Sequence, residues 1–444
     1  MTLPDGYEAK YTALLGAEAP AFLATFEMPV HHGYRVNPLR PAAALEVTGA
    51  PIPWSQWGHF GKVQGHGIDH VAGYVYSQEP SAQFVATALA PAPGDTVLDL
   101  CAAPGGKTTH LASFMQNRGV LIANEINPGR AKVLASNVER FGLQNTVVTN
   151  HDPQTLAKAL PAAFDRILVD APCSGEGMFR KDPAAMTYWQ PDYPATCATR
   201  QREILTQADV MLRPGGTLVY STCTFAPEED EQIAAWAEQT LGWELVAIAK
   251  TGGIADGRPD WADGNAHLTR TARLWPQLLA GEGHFVAKFK KPAGDAPRAS
   301  QLAVPRLSPD QRASFQAFCR QSLTTTFVDR LLWARRDQLF ALPAGTPDVS
   351  GLKVIRAGLH LGTFKKGRFE ASHSLATALT PADFQQTVAV SAAEYASYCH
   401  GETLARPALE GKRTVLLTLD DKSFAVGKLV NGTIKNAYPK GLRF

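Results

Sequence analysis

TVLDLCAAPGGKT, residues 96–108, sets the architecture of the segments on either side of it. Residues 96–100 form a β-branched and aliphatic run that predicts a buried strand, and 107–115 continue as a helix. The turn between them holds Gly105 and Gly106. Glycine lets backbone N–H groups and a positive helix end approach a polar or anionic ligand closely. The tail GGKT invites comparison with a phosphate-binding P-loop, but G-x-x-x-x-G-K-[ST] would place its first glycine at Cys101. A Rossmann-like site asks instead for an acid at the end of the next strand, roughly 20 residues on, to hold a ribose. Glu125 closes the run VLIANE, 19 residues after Gly106. A nucleotide-like cofactor is therefore expected against Cys101, Ala102, Ala103, Pro104, Gly105, Gly106 and Lys107, with Glu125 beside them.

The strand pattern continues downstream. Residues 143–149 predict a third strand that ends at Asn150, His151 and Asp152, and an acid at the carboxyl end of a parallel strand faces the ligand crevice. Asp152 is thus a cofactor contact or, alternatively, a helix cap. RILVD, residues 166–170, is a fourth strand running into APCSGEGMFRKDP. An amphipathic helix over 201–212 is broken by Arg-Pro-Gly-Gly, and 217–220 form a strand that delivers STCTFAPEEDEQ. Cys173 and Cys223 lie 50 residues apart, each leaving a strand toward the same rim of a doubly wound sheet. The acids at 228–231 are expected to favour a helix N-terminus. Ahead of the first strand, 81–89 has helical spacing with Ser81 as its cap.

DLCAAPGGKT, the Pro172-Cys173 pair and STCTF together resemble the Sun/Fmu-type RNA (cytosine-5) methyltransferases, with the strongest likeness to members that act on bacterial ribosomal RNA. The resemblance runs over nearly the whole chain and is most specific between Gln78 and Phe285. It implies S-adenosylmethionine as cofactor, cytosine carbon 5 as methyl acceptor and 16S ribosomal RNA of the small subunit as partner. It also implies that Cys223 is the nucleophile, that Cys173 aids release, and that Asp170 shares a proton with the base and touches the cofactor. Lys107 would anchor the base or balance charge, Arg130 would stand near the cofactor, and Asp152 would meet the adenine amino group. DNA cytosine methyltransferases share Pro-Cys but usually follow it with Gln and carry Glu-Asn-Val; here Ser174 follows and Glu-Asn-Val is absent. An RNA-binding assembly factor with a vestigial pocket, and an enzyme acting on tRNA or DNA, are the alternatives.

Composition bounds the rest. With 444 residues, 45% of them hydrophobic and 19% charged, the chain suits two or three globular domains. It shows no basic start followed by an apolar run and no stretch long enough to span a bilayer, so a cytoplasmic protein is expected. None of the six cysteines forms a C-x-x-C pair, so no metal is expected. From Lys291 to the end, 21 Lys and Arg face 12 Asp and Glu, a charge of +9, whereas the first 290 residues carry 22 against 29, or −7. A basic appendage on an acidic core fits a phosphate-gripping module.

The expected layout is α/β: a Rossmann-like methyltransferase core over 76–290, a small N-terminal RNA-binding segment over 1–75, a linker over 291–305, and a basic α+β, PUA-like RNA-binding region over 306–444. A monomer is expected. Arg35, Arg40 and Asn37 resemble an R-x-N element of the family and are expected to help hold RNA. Trp54, Trp57 and Phe60 are either stacking platforms or core. Residues 11–23 and 308–333 read as helices, KVIRAGLHLGTF and RTVLLTLDDKSFAVGKLV as strands, and Lys365, Lys366 and Arg368 form the densest basic patch.

Overall fold

The computed structural model describes residues 2–40, 44–296 and 299–444; Pro297 and Arg298 of the expected linker lie outside the described residues. Seven strands form the body of the central sheet: β1 Thr96–Asp99, β2 Val120–Asn124, β3 Thr146–Thr149, β4 Phe164–Asp170, β5 Leu212–Thr222, β6 His284–Lys290 and β7 Val354–Ala357. Their order is β6-β5-β4-β1-β2-β3-β7. The five inner strands run parallel and are flanked by β6 and β7, both antiparallel, with the short strands Ala272–Leu274 and Ala255–Asp256 continuing the sheet beyond β6. Alternate strand residues point to opposite faces, so Leu98, Ile122, Val147 and Ile167 join one core while Val97, Leu121, Val148 and Leu168 join the other. Strands buried on both faces need continuous aliphatic sequence, which is what these segments supply.

Helices on the two faces connect the strands: α1 Gly106–Met115, α2 Pro128–Arg140, α3 Pro153–Ala159, α4 Tyr193–Met211 and α5 Glu231–Leu241. The α2 start is fixed twice, by Pro128 in its first turn and by Asn127, whose side chain accepts the N–H groups of Gly129 and Arg130. The chain order reverses between β1 and β4, and ligands in such sheets sit outside the carboxyl ends at that reversal.

Several elements depart from the sequence reading. The expected 11–23 helix is two helices, Tyr7–Leu15 and Ala19–Ala24, parted at Gly16, whose φ of 54° lies in the left-handed region. Ser81 does not cap the helix after it. Its hydroxyl donates to Glu79, and the Glu79 carboxylate accepts the N–H groups of Ser81 and Ala82 instead. The helix beginning after Ser308, with a Ser308/Gln311 capping box, stops at Ser322, ahead of three consecutive β-branched threonines. Residues Arg330–Arg335 and Gln338–Pro343 then form a hairpin in a four-stranded sheet.

The C-terminal region also reaches back into the core. β7, from beyond the expected linker, pairs with β3 and completes the central sheet. A separate five-stranded sheet near the end contains the antiparallel pair Lys412–Leu419 and Lys422–Val430. Among the described residues no helix is long and apolar enough to cross a membrane.

Candidate active site

The carboxyl ends of β1 to β5 surround a cavity of about 640 Å³, a size suited to a small-molecule ligand. Of the residues singled out in the sequence, Cys101, Ala103, Glu125, Arg130, Asp152, Asp170, Cys173 and Cys223 line it. Ala102, Pro104, Gly105, Gly106 and Lys107 do not line it. The two glycines serve the turn itself. Gly105 has φ 113°, and a side chain there would meet Leu134; one on Gly106 would press on Tyr76 and Gln78. Their absence lets α1 pack tightly behind the pocket and aim its N-terminus at it.

On the cofactor side, the buried Glu125 receives the Asn127 backbone N–H at 2.8 Å and pairs with Arg130 at 3.4 Å. Arg130 also donates to the Ala103 carbonyl at 2.7 Å, tying α2 to the glycine turn. Asp152 is the cap of α3, accepting the Thr155 hydroxyl at 2.7 Å and the Thr155 N–H at 2.8 Å, and it also borders the cavity. Those hydrogen bonds hold its carboxyl below the ordinary range.

A further acid, Asp99, was not singled out although it ends β1 immediately before the turn. Thr108 donates to its Oδ2 at 2.6 Å, while its fully buried Oδ1 finds no hydrogen-bond partner among the described residues. Burial pushes this carboxyl up to about 7. An unmet acceptor at the glycine turn, an acid beyond β2 and another beyond β3 fit a cationic, ribose-bearing cofactor.

On the opposite side the two sulfurs lie 3.4 Å apart, Cys173 following β4 and Cys223 immediately following β5. Asp170 completes the group. Lys107 donates to its Oδ2 at 2.7 Å and the Ser221 hydroxyl to its Oδ1 at 2.7 Å. Burial opposes the Lys107 ammonium, but the Asp170 charge and hydrogen bond outweigh it and hold its proton above the usual lysine range. The hydrogen bond to Cys223, and then burial, push the Cys173 thiol well up. Burial, reinforced by Asp99, Asp170 and Glu125, does the same to Cys101, which stays a neutral thiol against the cofactor pocket.

The acids expected only to favour a helix N-terminus do more. Glu229, Asp230 and Glu231 are fully buried. Arg273 donates to Glu231 at 2.7 Å, and Thr222, the neighbour of Cys223, donates to Asp230 at 2.6 Å. Spacing alone carried no sign of this; Arg273 inside a strand of apolar neighbours was the available hint.

The expected N-terminal RNA contacts are corrected. Arg35 is fully buried and donates to Gln78, to the Gly106 carbonyl at 2.8 Å and to Thr109 at 2.7 Å. Arg40 is buried among the Ala376, Thr377 and Ser423 carbonyls, and Asn37 donates to the Gly73 and Phe141 carbonyls. Guanidinium groups committed to internal carbonyls cannot grip phosphates. Trp54 is buried with its indole N–H on the Pro80 carbonyl, Trp57 packs against His110 and Phe114, and Phe60 joins the core beside them. In the C-terminal patch, Arg368 pairs with Glu370 at 2.9 Å and Lys365 with Asp337 at 3.8 Å. Among the described residues no group of three or more His, Cys, Asp or Glu could hold a metal ion.

Comparison with known proteins agrees with this geometry. A family model described as 16S rRNA methyltransferase RsmB/F matches residues 86–290. Models for the N-terminal domain of 16S rRNA methyltransferase RsmF, the first C-terminal domain of RsmF and the RsmF PUA domain match 3–80, 317–379 and 385–444. A ribosomal RNA small subunit methyltransferase F of Vibrio cholerae is 31% identical over 100% of this chain and 98% of its own length. That of Escherichia fergusonii is 33% identical over 95% of this chain and 92% of its own. A solved methyltransferase homologue from Pyrococcus horikoshii is 28% identical, superposes with a TM-score of 0.56 and covers 64% of this chain and 93% of that one. With four models in sequence order and relatives matched end to end, the chain belongs to the RsmF family of ribosomal RNA small subunit methyltransferases, and its cofactor is S-adenosylmethionine.

Proposed function

We propose that this protein methylates carbon 5 of cytosine in 16S ribosomal RNA of the small subunit through a transient covalent bond between Cys223 and carbon 6 of the base. The observation that carries this is the meeting of two sulfurs at 3.4 Å beside the Asp170–Lys107 pair on the rim of the cofactor cavity. Glu125, Asp152, Arg130, Ala103 and Cys101 hold the cofactor, with Asp99 behind the turn. Bound S-adenosylmethionine supplies an electrophilic methyl group.

Carbon 5 of cytosine is a weak nucleophile until carbon 6 carries an electron-rich substituent. A thiolate suits the task because it adds to a soft centre and leaves again. Cys223, at the carboxyl end of β5 beside the Asp170–Lys107 pair, is the attacking sulfur. As its sulfur bonds to carbon 6, charge moves toward N3. Asp170 shares a proton there, with Lys107 offsetting and resupplying it. After methylation the carbon 5 proton leaves to solvent, the ring double bond re-forms and the carbon–sulfur bond breaks. The departing Cys223 thiolate is received by the Cys173 S–H. Reaching this crevice requires an unstacked base, at a cost of a few kcal/mol, roughly. The +9 surplus beyond Lys291 suits phosphate contacts that would offset it.

The test is incubation with labelled cofactor and small-subunit RNA, tRNA or duplex DNA, followed by nucleoside analysis. Label in 5-methylcytidine from small-subunit RNA is expected. Label only in another nucleoside, or only in tRNA or DNA, would overturn the assignment.

A further inference from the structure

The loop that carries Cys173 is held from beneath by groups that never reach the cavity. The Pro172 carbonyl accepts Gln201 Nε2 at 3.0 Å, and the Ser174 backbone N–H donates to Glu229 Oε2 at 3.0 Å. Gln201 Nε2 also donates to Glu229 Oε2 at 2.8 Å, so both neighbours of Cys173 end on one buried pair. The residues following the two cysteines are joined as well, since the Ser174 and Thr224 hydroxyls lie 2.7 Å apart. Ser174, Gln201, Thr224 and Glu229 are buried, and none of these four lines the cavity. They can act on the reaction only through the cysteines.

We propose that Glu229 and Gln201 are positioning residues that, with the Ser174–Thr224 brace, fix Cys173 against Cys223 and seat the Glu229 carboxyl group behind the Cys173 loop. The role of Cys173 in release is taken from the proposed function; the positioning itself is independent of it. A buried carboxyl group is costly unless hydrogen-bonded, and this one spends its hydrogen bonds on the Cys173 loop. Its surroundings are acidic or neutral: Glu176 and Asp230, the phenols of Tyr193 and Tyr220, and the thiols of Cys173 and Cys197. Burial, only partly offset by the Ser174 and Gln201 hydrogen bonds, pushes Glu229 up to about 8. Once ionised, it disfavours a second negative charge on Cys173. Of the two cysteines, Cys173 is the one whose loop rests on this carboxyl group.

The test measures alkylation of Cys173 by iodoacetamide against pH in a Cys223→Ser background, read by peptide mass so that Cys173 is followed apart from Cys101, the other thiol that lines the cavity. Adding Glu229→Gln, which keeps a hydrogen-bond acceptor but loses the charge, is expected to lower the alkylation midpoint and speed the reaction at pH 8 by roughly tenfold. With Cys223 intact, Glu229→Ala and Gln201→Ala are expected to accumulate a protein–RNA adduct, and Glu229→Gln to accumulate less. An unchanged midpoint in Glu229→Gln would overturn the proposal, whether or not the alanine variants fold. A shifted midpoint with no adduct in any variant, Cys173→Ala included, would uphold the positioning role and remove the release role instead.

Discussion

The two sides of the crevice are built differently. On the cofactor side, Glu125, Arg130 and Asp152 sit one layer deep at the ends of β2 and β3, with Arg130 58% exposed and Asp152 also serving as a helix cap. On the cysteine side a second layer stands behind the sulfurs: Glu229, Asp230, Glu231 and Arg273 are all buried, and Arg180 pairs with Glu282 in the same region at 2.8 Å. Burying charge costs several kcal/mol per ion before any partner compensates, roughly. Binding a small molecule tolerates some play, whereas making and breaking one carbon–sulfur bond requires two sulfurs at a fixed separation. The deeper, costlier construction is found where the covalent chemistry is proposed.

The largest effect should come from the cysteine side. Cys223→Ala is expected to lower methylation by roughly 10⁴-fold or more, as loss of a nucleophile does elsewhere, while cofactor affinity measured by calorimetry stays within a factor of a few. Loss of cofactor binding in step with activity would erase the distinction between the two sides. Next, Arg273→Met leaves Glu231 and Asp230 buried without their cation. A loss of about 3–5 kcal/mol in urea unfolding is expected, and a variant as stable as the parent would show that the second layer carries no strain. On the cofactor side, Glu125→Ala should weaken S-adenosylmethionine binding roughly 10- to 100-fold with little change in unfolding midpoint, which sharpens the contrast.

Taken per pH unit, the smallest effect concerns Glu229. Glu229 is raised from an ordinary 4.5 to about 8, so its contribution to stability is complete below 4.5 and is lost as pH rises through 8. Within that window the parent should lose stability relative to Glu229→Gln at up to about 1.4 kcal/mol per pH unit. Parallel stability curves from pH 5 to 9 would mean that the carboxyl group is not buried in solution.

What was legible in the sequence divides along the same line. The inner strands announce themselves as aliphatic runs because both faces are covered, and the cavity-lining residues sit where strand ends put them. Cys173 and Cys223 were placed on one rim by topology alone, and they meet there. Buried polar support left no such trace. Glu229, Asp230 and Glu231 look like any acidic helix start, because spacing does not reveal that α5 turns its first residues inward. Arg35 and Arg40 look like phosphate grips for the same reason. Their partners include backbone carbonyls of Gly106, Ala376, Thr377 and Ser423, which no side-chain pattern displays. The short alternating run that becomes β7 shows strand character, but not that its partner is β3, some two hundred residues earlier.

The claim that Cys223 bonds to carbon 6 of the base is tested most directly by intact-mass analysis of Cys173→Ala after reaction with small-subunit RNA and S-adenosylmethionine. The account predicts a protein–RNA adduct that survives denaturation and whose crosslinked peptide contains Cys223. Clean turnover without an adduct, or a crosslink mapped to any other residue, would contradict it.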